Sequence, residues 1–284
     1  MGNIKLLFVF LLAVLIVGCS SSDSNFSYGT GESPGHLNRC FGGDGNDYCL
    51  SVCVAPDGII WVTGHTDSPV SGDIKNYHGG ILDLWLLGID PKNNTIVYNR
   101  CFGGEYDESG SSVFVAPDGT VWVTGDTNSP VGGDIKNRQD TVSSDLWLLG
   151  IDGSNESADP IYNRCFGGDA TDIGNSVCVA LDGTVWVAGR TSSPLGGDIK
   201  NRQDTVSSDI WLLGIDGSNE SADPIYNRCF GGDAGDLGSS VCVAPDGAVW
   251  VAGRTYSPLG GDIKNRRGTT DDLDLWLLGI EPNE

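Results

Sequence analysis

CFGGDATDIGNSVCVALDGTVWVAGRTSSPLGGDIK, residues 165–200, decides the fold, because near-copies of this stretch begin at Cys40, Cys101, Cys165 and Cys229. The copies start roughly 61 to 64 residues apart, a spacing typical of propeller blades or solenoid arrays. A repeat of this kind cannot close its own hydrophobic face, so neighbouring repeats must stack to bury a shared core. The sequence therefore predicts an all-β protein of four stacked units.

Each repeat contains four predicted strands, which in the first copy are Ser51–Ala55, Ile59–Gly64, Leu84–Leu87 and Thr95–Phe102. The dipeptide Asp57-Gly58 indicates a hairpin between the first two, because Gly accepts the positive φ that such a turn requires. The third strand is apolar on both faces, as expected for a strand enclosed between layers. Two tryptophans recur in register in every copy, which favours packing between blades over a ligand cage. They are Trp61, Trp122, Trp186 and Trp250 on the second strand, and Trp85, Trp147, Trp211 and Trp276 on the third.

The two ends of the repeat region suggest how it closes. The last copy ends after its third strand, Leu275–Leu278, whereas Leu37–Phe41 matches the end of the fourth strand in the other copies, such as Tyr162–Phe166. Closure removes exposed sheet edges. We therefore predict a β-propeller over residues 36–284, with four blades of four antiparallel strands and a ring closed by the N-terminal strand. Closure between two chains, giving a larger ring, is the alternative.

The N-terminus has the features of an export signal. Leu6–Val17 form an apolar run of about 12 residues, too short to span a bilayer comfortably. The run ends in Ile16-Val17-Gly18-Cys19, which resembles a bacterial lipobox, so residues 1–18 are a predicted lipoprotein signal peptide and Cys19 the lipid (palmitate) attachment site. Residues 19–35 are Ser- and Gly-rich and predict a flexible tether. Ser20, rather than Asp, follows the cysteine and favours the outer membrane of the bacterial cell envelope.

The order of motifs within each copy resembles a known family. It comprises GG-x-x-x-D, then S-V-x-V-A-P-D-G-x-V-W-V-x-G-x-T-x-S-P, then a D-L-W strand and a return to F-G-G, from about Leu37 to Ile280. This resembles bacterial proteins with the seven-bladed β-propeller repeat, although four copies are fewer than the family name implies. The resemblance implies a structural or binding scaffold without catalytic residues.

Composition narrows the function further. The formal net charge is −22, which makes nucleic acid a poor partner because phosphate binding needs clustered Lys and Arg. Of the three histidines, none recurs between copies, and no nucleophile elbow, His-rich metal motif or phosphate loop is visible. Copies two and three differ only at Leu146 and Ile210 between residues 132–170 and 196–234, which argues against a site assembled from unlike residues. We therefore expect no enzymatic activity.

Recurring carboxylates mark the face formed by the CFGG loops and the long TxSPxGGDIKN loops. Closely spaced carboxylates beside glycines can ligate Ca²⁺, but short Asp side chains in turns more often bond their own backbone. No copy has a complete Ca²⁺-loop signature, and a lysine (75, 136, 200 or 264) follows each long-loop aspartate by two positions and would neutralise it. We therefore expect structural turns and no cofactor, with calcium as the alternative. The candidate residues are Asp44, Asp47, Asp107, Asp169, Asp172, Asp233 and Asp236.

The cysteines are not spaced for disulfides. In an up-and-down blade, the cysteines of the first and fourth strands lie three strand spacings apart, about 14 Å, whereas a bridge needs Cα atoms within about 7 Å. We therefore expect buried free thiols that act as small apolar side chains.

Together these features predict a lipid-anchored, non-enzymatic propeller scaffold that presents its loop face to an unknown protein or glycan ligand at the cell envelope. The alternative is a Ca²⁺-dependent carbohydrate-binding or carbohydrate-active propeller, and a third possibility is a structural subunit of an envelope complex.

Overall fold

The computed structural model describes residues 37–138, 143–202, 207–267 and 272–281. The predicted signal peptide, Cys19 and the tether (residues 1–35) lie outside these residues. Within them the chain forms fifteen β-strands and no α-helix, so the described part contains no helix that could cross a membrane. The predicted all-β class is confirmed.

The strands form four antiparallel sheets, one for each sequence repeat, in which consecutive strands are neighbours. The first sheet contains β1 (Asp47–Val54), β2 (Ile60–Thr66), β3 (Asp83–Asp90) and β4 (Thr95–Phe102); the second contains β5 (Glu108–Val115), β6 (Thr120–Thr127), β7 (Asp145–Asp152) and β8 (Tyr162–Phe166). The third contains β9 (Asp172–Val179), β10 (Thr184–Thr191), β11 (Asp209–Asp216) and β12 (Tyr226–Phe230); the fourth has only β13 (Asp236–Val243), β14 (Val249–Thr255) and β15 (Asp274–Ile280).

The predicted Asp-Gly hairpins are confirmed. Gly58 adopts a φ of 91°, and its N–H donates to the carbonyl of Ala55 at 2.9 Å. The Asp57 carboxylate accepts the Ile59 N–H at 3.0 Å, and this local hydrogen bond stabilises the turn. The corresponding glycines of the other three copies have φ values of 89° to 91°, in the left-handed region that a side chain would strain.

The first strand of each repeat is longer than predicted. In the first sheet it begins at Asp47 rather than at Ser51, and its pairing with β2 shifts between Cys49 and Ser51. The shift is a β-bulge, and it recurs in the other three sheets. The bulge lets the strand continue toward the CFGG loop, beyond the start that the sequence predicted.

Successive sheets pack face to face, and this packing forms three of the hydrophobic cores. Each sheet has a front face, which contacts the next sheet in the chain, and a back face, which contacts the previous one. Between the second and third sheets, the front face supplies Trp122, Leu148 and Phe166, and the back face supplies Val187 and Trp211. The same arrangement joins the first sheet to the second and the third to the fourth. At these three junctions the predicted packing of the paired tryptophans between sheets is therefore confirmed, and the arrangement of the sheets is propeller-like.

The fourth sheet departs from the prediction. It ends at β15, and residues 37–43 have no regular secondary structure. Leu37 and Phe41 instead pack against the back face of the first sheet, beside Trp85 and Cys101. Leu37–Phe41 is thus not the fourth strand of this sheet, and the predicted ring closure is not confirmed.

All eight cysteines of the described residues are free thiols, as predicted. Four of them are buried: Cys101, Cys165, Cys178 and Cys229. Burial raises the pKa of Cys229 to about 12, so this thiol is protonated at neutral pH and packs as a small apolar group. Burial is not general, since Cys40, Cys49 and Cys242 are exposed.

Candidate functional site: the loop face at the sheet junctions

The loop face is formed where the CFGG loop that leads into each sheet meets that sheet's long loop. In the third repeat, the N–H of Ala170 donates to Ser193 Oγ at 2.8 Å, and the N–H of Gly167 donates to Asp198 Oδ2 at 3.2 Å. These bonds fasten the loop before β9 to the loop after β10. The predicted grouping of these two loops on one face is therefore confirmed.

A buried carboxylate anchors each junction. Asp172, the first residue of β9, is fully buried and accepts the N–H of Gly168 at 2.8 Å and the hydroxyl of Ser193 at 2.7 Å. Burial raises the pKa of Asp172, while hydrogen bonds from Thr191, Ser193 and Gly168 oppose this shift. The carboxylate thus holds the loop backbone, which is the structural role that short Asp side chains often have.

A second carboxylate reaches the same junction from the preceding sheet. Asp145, the first residue of β7, is buried, and the guanidinium Nε of Arg138 donates to its Oδ2 at 3.2 Å. A Cβ on Gly167 would lie 2.6 Å from Asp145 Oδ1 and 2.9 Å from Asp172 Oδ2. A Cβ therefore has no room between the two carboxylates, which explains the first glycine of the recurring GG.

The other internal junctions repeat this arrangement with one substitution. Asp209, Asp236 and Arg202 form the junction between the third and fourth sheets. Between the first two sheets, Asp83 and Glu108 flank Gly103, and the imidazole of His78 takes the place of the guanidinium, with its Nδ1 3.3 Å from Asp83 Oδ2. The hydrogen bond to Asp83 raises the pKa of His78, whereas burial raises the pKa of Asp83 itself.

In the second repeat, Glu108 takes the anchoring place that Asp172 has in the third, and the Gly104 N–H donates to it at 2.9 Å. The candidate residue Asp107 accepts the N–H of Ile81 at 2.9 Å. The long-loop aspartates also have a partner that the sequence did not indicate, an arginine from the fourth strand: Arg100 donates to Asp134 at 2.9 Å. Burial raises the pKa of Asp198, and Arg164 and the predicted lysine, Lys200, both oppose this shift.

That fourth-strand arginine also joins neighbouring sheets. The guanidinium of Arg164 lies 4.5 Å above the ring of Phe166 and 3.6 Å from the carboxylate of Asp198. Its Nη1 donates to the carbonyls of Glu220 and Ala222, at 3.2 and 2.6 Å, in the turn between β11 and β12 of the next sheet. Arg100 makes equivalent bonds to the turn between β7 and β8.

The remaining candidate carboxylates point to solvent or sit at the start of the first sheet. Asp44, Asp169 and Asp233 are exposed, whereas Asp47 is half-buried and accepts the hydroxyl of Thr66 at 2.6 Å. Within the described residues, no three His, Cys, Asp or Glu side chains are grouped to hold a metal ion. The carboxylates best placed for Ca²⁺, such as Asp145 with Asp172, already have a guanidinium and hydrogen-bond donors of the chain around them.

One variable position on the second strand was missed as a candidate site. His65, Asp126, Arg190 and Arg254 occupy equivalent places in the four sheets, paired with the third strand near the loop face. Burial raises the pKa of Asp126 to about 6, while Ser144 and Arg190 oppose the shift. The sequence did contain a signal for this site, because the charge at this position changes between repeats while the neighbouring residues stay nearly the same.

Two clefts lie on the opposite face, which we call the hairpin face because the Asp-Gly hairpins form it. A cleft of about 760 Å³ between the second and third sheets is lined by Trp122, Ile161 and Leu181. A similar cleft of about 620 Å³ lies between the first and second sheets and includes Trp61. On the loop face, a cavity of about 220 Å³ beside Asp209 and Asp233 is smaller and more polar. Sequence analysis did not predict the hairpin-face clefts, since they depend on the spacing of the sheets.

No family model matches the chain, and neither does any curated protein sequence. Among solved structures, it is similar to a protein of unknown function from Bacteroides caccae, with 11% identity and a TM-score of 0.35 over 72% of this chain and 52% of that one. It is also similar to hydrazine synthase from Kuenenia stuttgartiensis, with 14% identity and a TM-score of 0.36 over 80% of this chain and 45% of that one. The chain thus spans about half the length of each of these proteins, and likeness at this level bears on neither its function nor its partners.

Proposed function

We propose that the protein is a lipid-anchored, non-enzymatic propeller scaffold that presents its loop face to a protein or glycan ligand at the bacterial cell envelope. One observation carries the proposal: at each internal junction a buried carboxylate pair, bonded to an arginine or a histidine side chain, holds the loop backbone in place. The recurring acidic groups are therefore used to position the loops, and the exposed Asp169 and Asp233 lie in equivalent places along the face. A surface of this kind suits binding, because its contacts are fixed before the ligand arrives.

The second candidate function places the ligand on the hairpin face. The two clefts there have volumes in the range of small-molecule sites, and both combine a tryptophan with exposed aliphatic side chains. A chain segment with apolar side chains would suit such a lining. The loop face remains our first choice, because the same groups recur there at all three internal junctions.

A photo-crosslinking experiment separates the two faces. A photoreactive amino acid replaces Asp233 on the loop face in one variant and Asp182 on the hairpin face in a matched variant, and both are exposed aspartates. Irradiated cells of the source organism should give a discrete adduct from position 233 only. An adduct from position 182 alone would move the binding site to the clefts. A glycan array with and without EDTA checks the Ca²⁺-dependent alternative, for which binding would disappear with the chelator.

The proposal includes four complete blades, in which a Leu37–Phe41 segment becomes the fourth strand beside β15. The basis is the match between this segment and Tyr162–Phe166, together with the unpaired outer edge of β15. Deleting residues 33–43 should lower the melting temperature, whereas deleting residues 20–31 of the predicted tether should leave it unchanged. Equal melting temperatures for the two deletions would contradict the completed blade.

A further inference from the structure

The front face of the fourth sheet is an uncovered copy of an interface that is buried elsewhere in the chain. Leu275 and Leu277 of β15 are 81% and 56% exposed. Their equivalents in the second sheet, Leu146 and Leu148, are fully buried against the third sheet. Trp250, also on this face, is exposed, whereas the equivalent Trp122 is buried.

The back face of the first sheet is the complementary half of the same interface. Val52 and Val54 of β1 are 62% and 66% exposed, whereas the equivalent Val113 and Val115 are buried against the first sheet. On the same face Trp85 and Leu87 of β3 are buried, with Leu37 and Phe41 packed against them. The described chain therefore begins with a back face that is exposed along β1 and ends with an uncovered front face.

Residues 37–41 already hold the position of a fourth strand relative to the sheet that follows it. Arg39 donates to Asp73 at 2.9 Å and lies 4.5 Å above the ring of Phe41. Arg100, at the end of β4, makes the same two contacts with Asp134 and Phe102, at 2.9 and 4.4 Å. The segment is thus placed as the end of a preceding blade, but the three strands of that blade are not beside it.

Two polar contacts that occur at the internal junctions are incomplete in the fourth and first sheets. The hydroxyl of Ser176 accepts the N–H of Val241 in the next sheet at 3.1 Å, whereas Ser240, the equivalent residue of the fourth sheet, is exposed. At the internal junctions Gly167 and its equivalents lie between the first residue of a third strand and the first residue of the next sheet, whereas beside Gly42 the described carboxylates are those of Asp47 and of the long-loop residue Asp73. The missing counterpart for Asp47 is the first residue of a preceding third strand, and β15 begins with such a residue, Asp274.

We propose that a second copy of this chain completes the fourth sheet: the Leu37–Phe41 segment and first sheet of one copy dock onto β15 and the front face of the other. Two such contacts, related by a two-fold axis, give a ring of eight blades, within the range that propellers adopt. This inference rests on the proposed completion of the fourth blade and names its partner. It is independent of the lipid anchor and of the ligand-binding face.

A second copy fits these observations better than closure of one chain on itself. Val52 and Leu275 of one chain both remain exposed, although side chains at the internal interfaces, such as Leu146 and Phe166, are fully buried. Closure of one chain on itself would have to shift these close-packed interfaces to bring the two ends together, and close packing resists such a shift.

The pairing register predicts where the two copies touch. Arg100, Arg164 and Arg228 pair with Leu86, Leu148 and Leu212 across the third and fourth strands. Arg39 should therefore lie opposite Leu277 of the partner. Directly opposed residues in antiparallel strands have Cα atoms about 4.5–5.5 Å apart, within disulfide range.

A cysteine pair tests this register in the full-length protein. Arg39→Cys and Leu277→Cys are combined on one chain in which the exposed Cys40, Cys49 and Cys242 are serine. Oxidation should convert most of the protein to a covalent dimer on a non-reducing gel. The control combines Leu277→Cys with Asp182→Cys on the hairpin face, and this pair should remain monomeric. An internal disulfide in a monomer would show closure within one chain and overturn the inference.

The mass of the full-length protein in mild detergent supplies a second test. Light scattering should give twice the mass of one chain. Leu275→Asp should abolish the dimer but leave the β-sheet circular dichroism spectrum unchanged. Leu181→Asp, at an equally exposed leucine on the hairpin face, should leave the dimer intact. A wild-type monomer, or a ladder of longer open assemblies, would contradict a two-chain ring.

Discussion

Leu146 and Leu275 occupy the same place in the repeat, each following the Asp that starts the third strand, yet Leu146 is fully buried and Leu275 is 81% exposed. The local sequences, DLWLLGI in both cases, are identical. The difference arises because a third sheet covers Leu146 and no described residue covers Leu275. Burying such a leucine contributes about 1.5–3 kcal/mol, so the exposed face is a surface that favours association.

The lipid anchor is tested by Cys19→Ser. If Cys19 carries the lipid, this variant should move from the membrane fraction to the soluble fraction, or accumulate with its signal peptide uncut. Detergent-phase partitioning and N-terminal sequencing measure the two outcomes. Wild-type partitioning combined with normal processing would rule out the lipoprotein prediction.

The bridging role of the fourth-strand arginine predicts unequal effects at two nearly identical positions. The side chain of Arg164 is 14% exposed and bonds two carbonyls of the next sheet, whereas that of Arg228 is 49% exposed. Arg164→Ala should therefore lower the free energy of unfolding by about 1.5–3 kcal/mol more than Arg228→Ala, since hydrogen bonds to a charged group contribute about this much. Urea denaturation of the two variants measures the difference. Equal losses would show that the bonds to Glu220 and Ala222 do not stabilise the junction.

The buried and the exposed carboxylate of the third repeat should contribute differently to the free energy of unfolding. Asp172→Ala leaves the Gly168 N–H without its acceptor and removes one of the two acceptors near the Ser193 hydroxyl, which still has the Ala170 carbonyl at 3.0 Å; the expected cost is about 1–3 kcal/mol. This corresponds to a melting temperature lower by about 2–4 °C per kcal/mol for a domain of this size. Asp169→Ala changes an exposed side chain and should stay within about 0.5 kcal/mol of wild type. Calorimetry of both variants makes the comparison, and a larger loss for Asp169→Ala would contradict the anchoring role.

Calcium should have little effect on stability. Millimolar Ca²⁺ screens a net charge of −22 and should raise the melting temperature only slightly. A specific site would behave differently, because ligand at about a hundredfold over its dissociation constant adds roughly 2.7 kcal/mol. A large, saturable increase that disappears in the double variant Asp169→Asn and Asp172→Asn would support the Ca²⁺-dependent alternative instead.

The raised pKa of Asp126 predicts how the stability of the protein depends on pH. Its pKa is raised from 3.8 to about 6 in the folded protein, so between about pH 4 and pH 6 the folded state binds more protons at this residue than the unfolded state does. Stability contributed by this group therefore falls as the pH rises through 6. Asp126→Asn should be more stable than wild type by about 1–3 kcal/mol at pH 7.5 and by much less at pH 4. The control is Asp182→Asn at an exposed turn, and a difference between Asp126→Asn and wild type that does not change with pH would contradict the raised pKa.

Much of the fold followed from the sequence because its signals are local and repeated. The Asp-Gly turns, the apolar third strands such as Leu84–Leu87 and the two tryptophans per copy each depend on neighbours within a hairpin or on a periodic pattern. Less of the candidate site could be predicted from the sequence. The sequence placed a lysine near each long-loop aspartate but did not indicate the arginine, such as Arg100 for Asp134, because the arginine comes from a strand about 30 residues away.

The sequence by itself determined the four repeats, the strands within each of them and the alternation of faces, since turn chemistry and side-chain periodicity act over a few residues. Only the tertiary structure decided which acidic groups are buried, because Asp145 and Asp172 come together from different sheets. The tertiary structure also decided that Leu37–Phe41 lies against the first sheet and not beside β15. The physical reason is that the angle between sheets depends on how whole faces pack, and identical repeat sequences acquire different surroundings at the ends of the row.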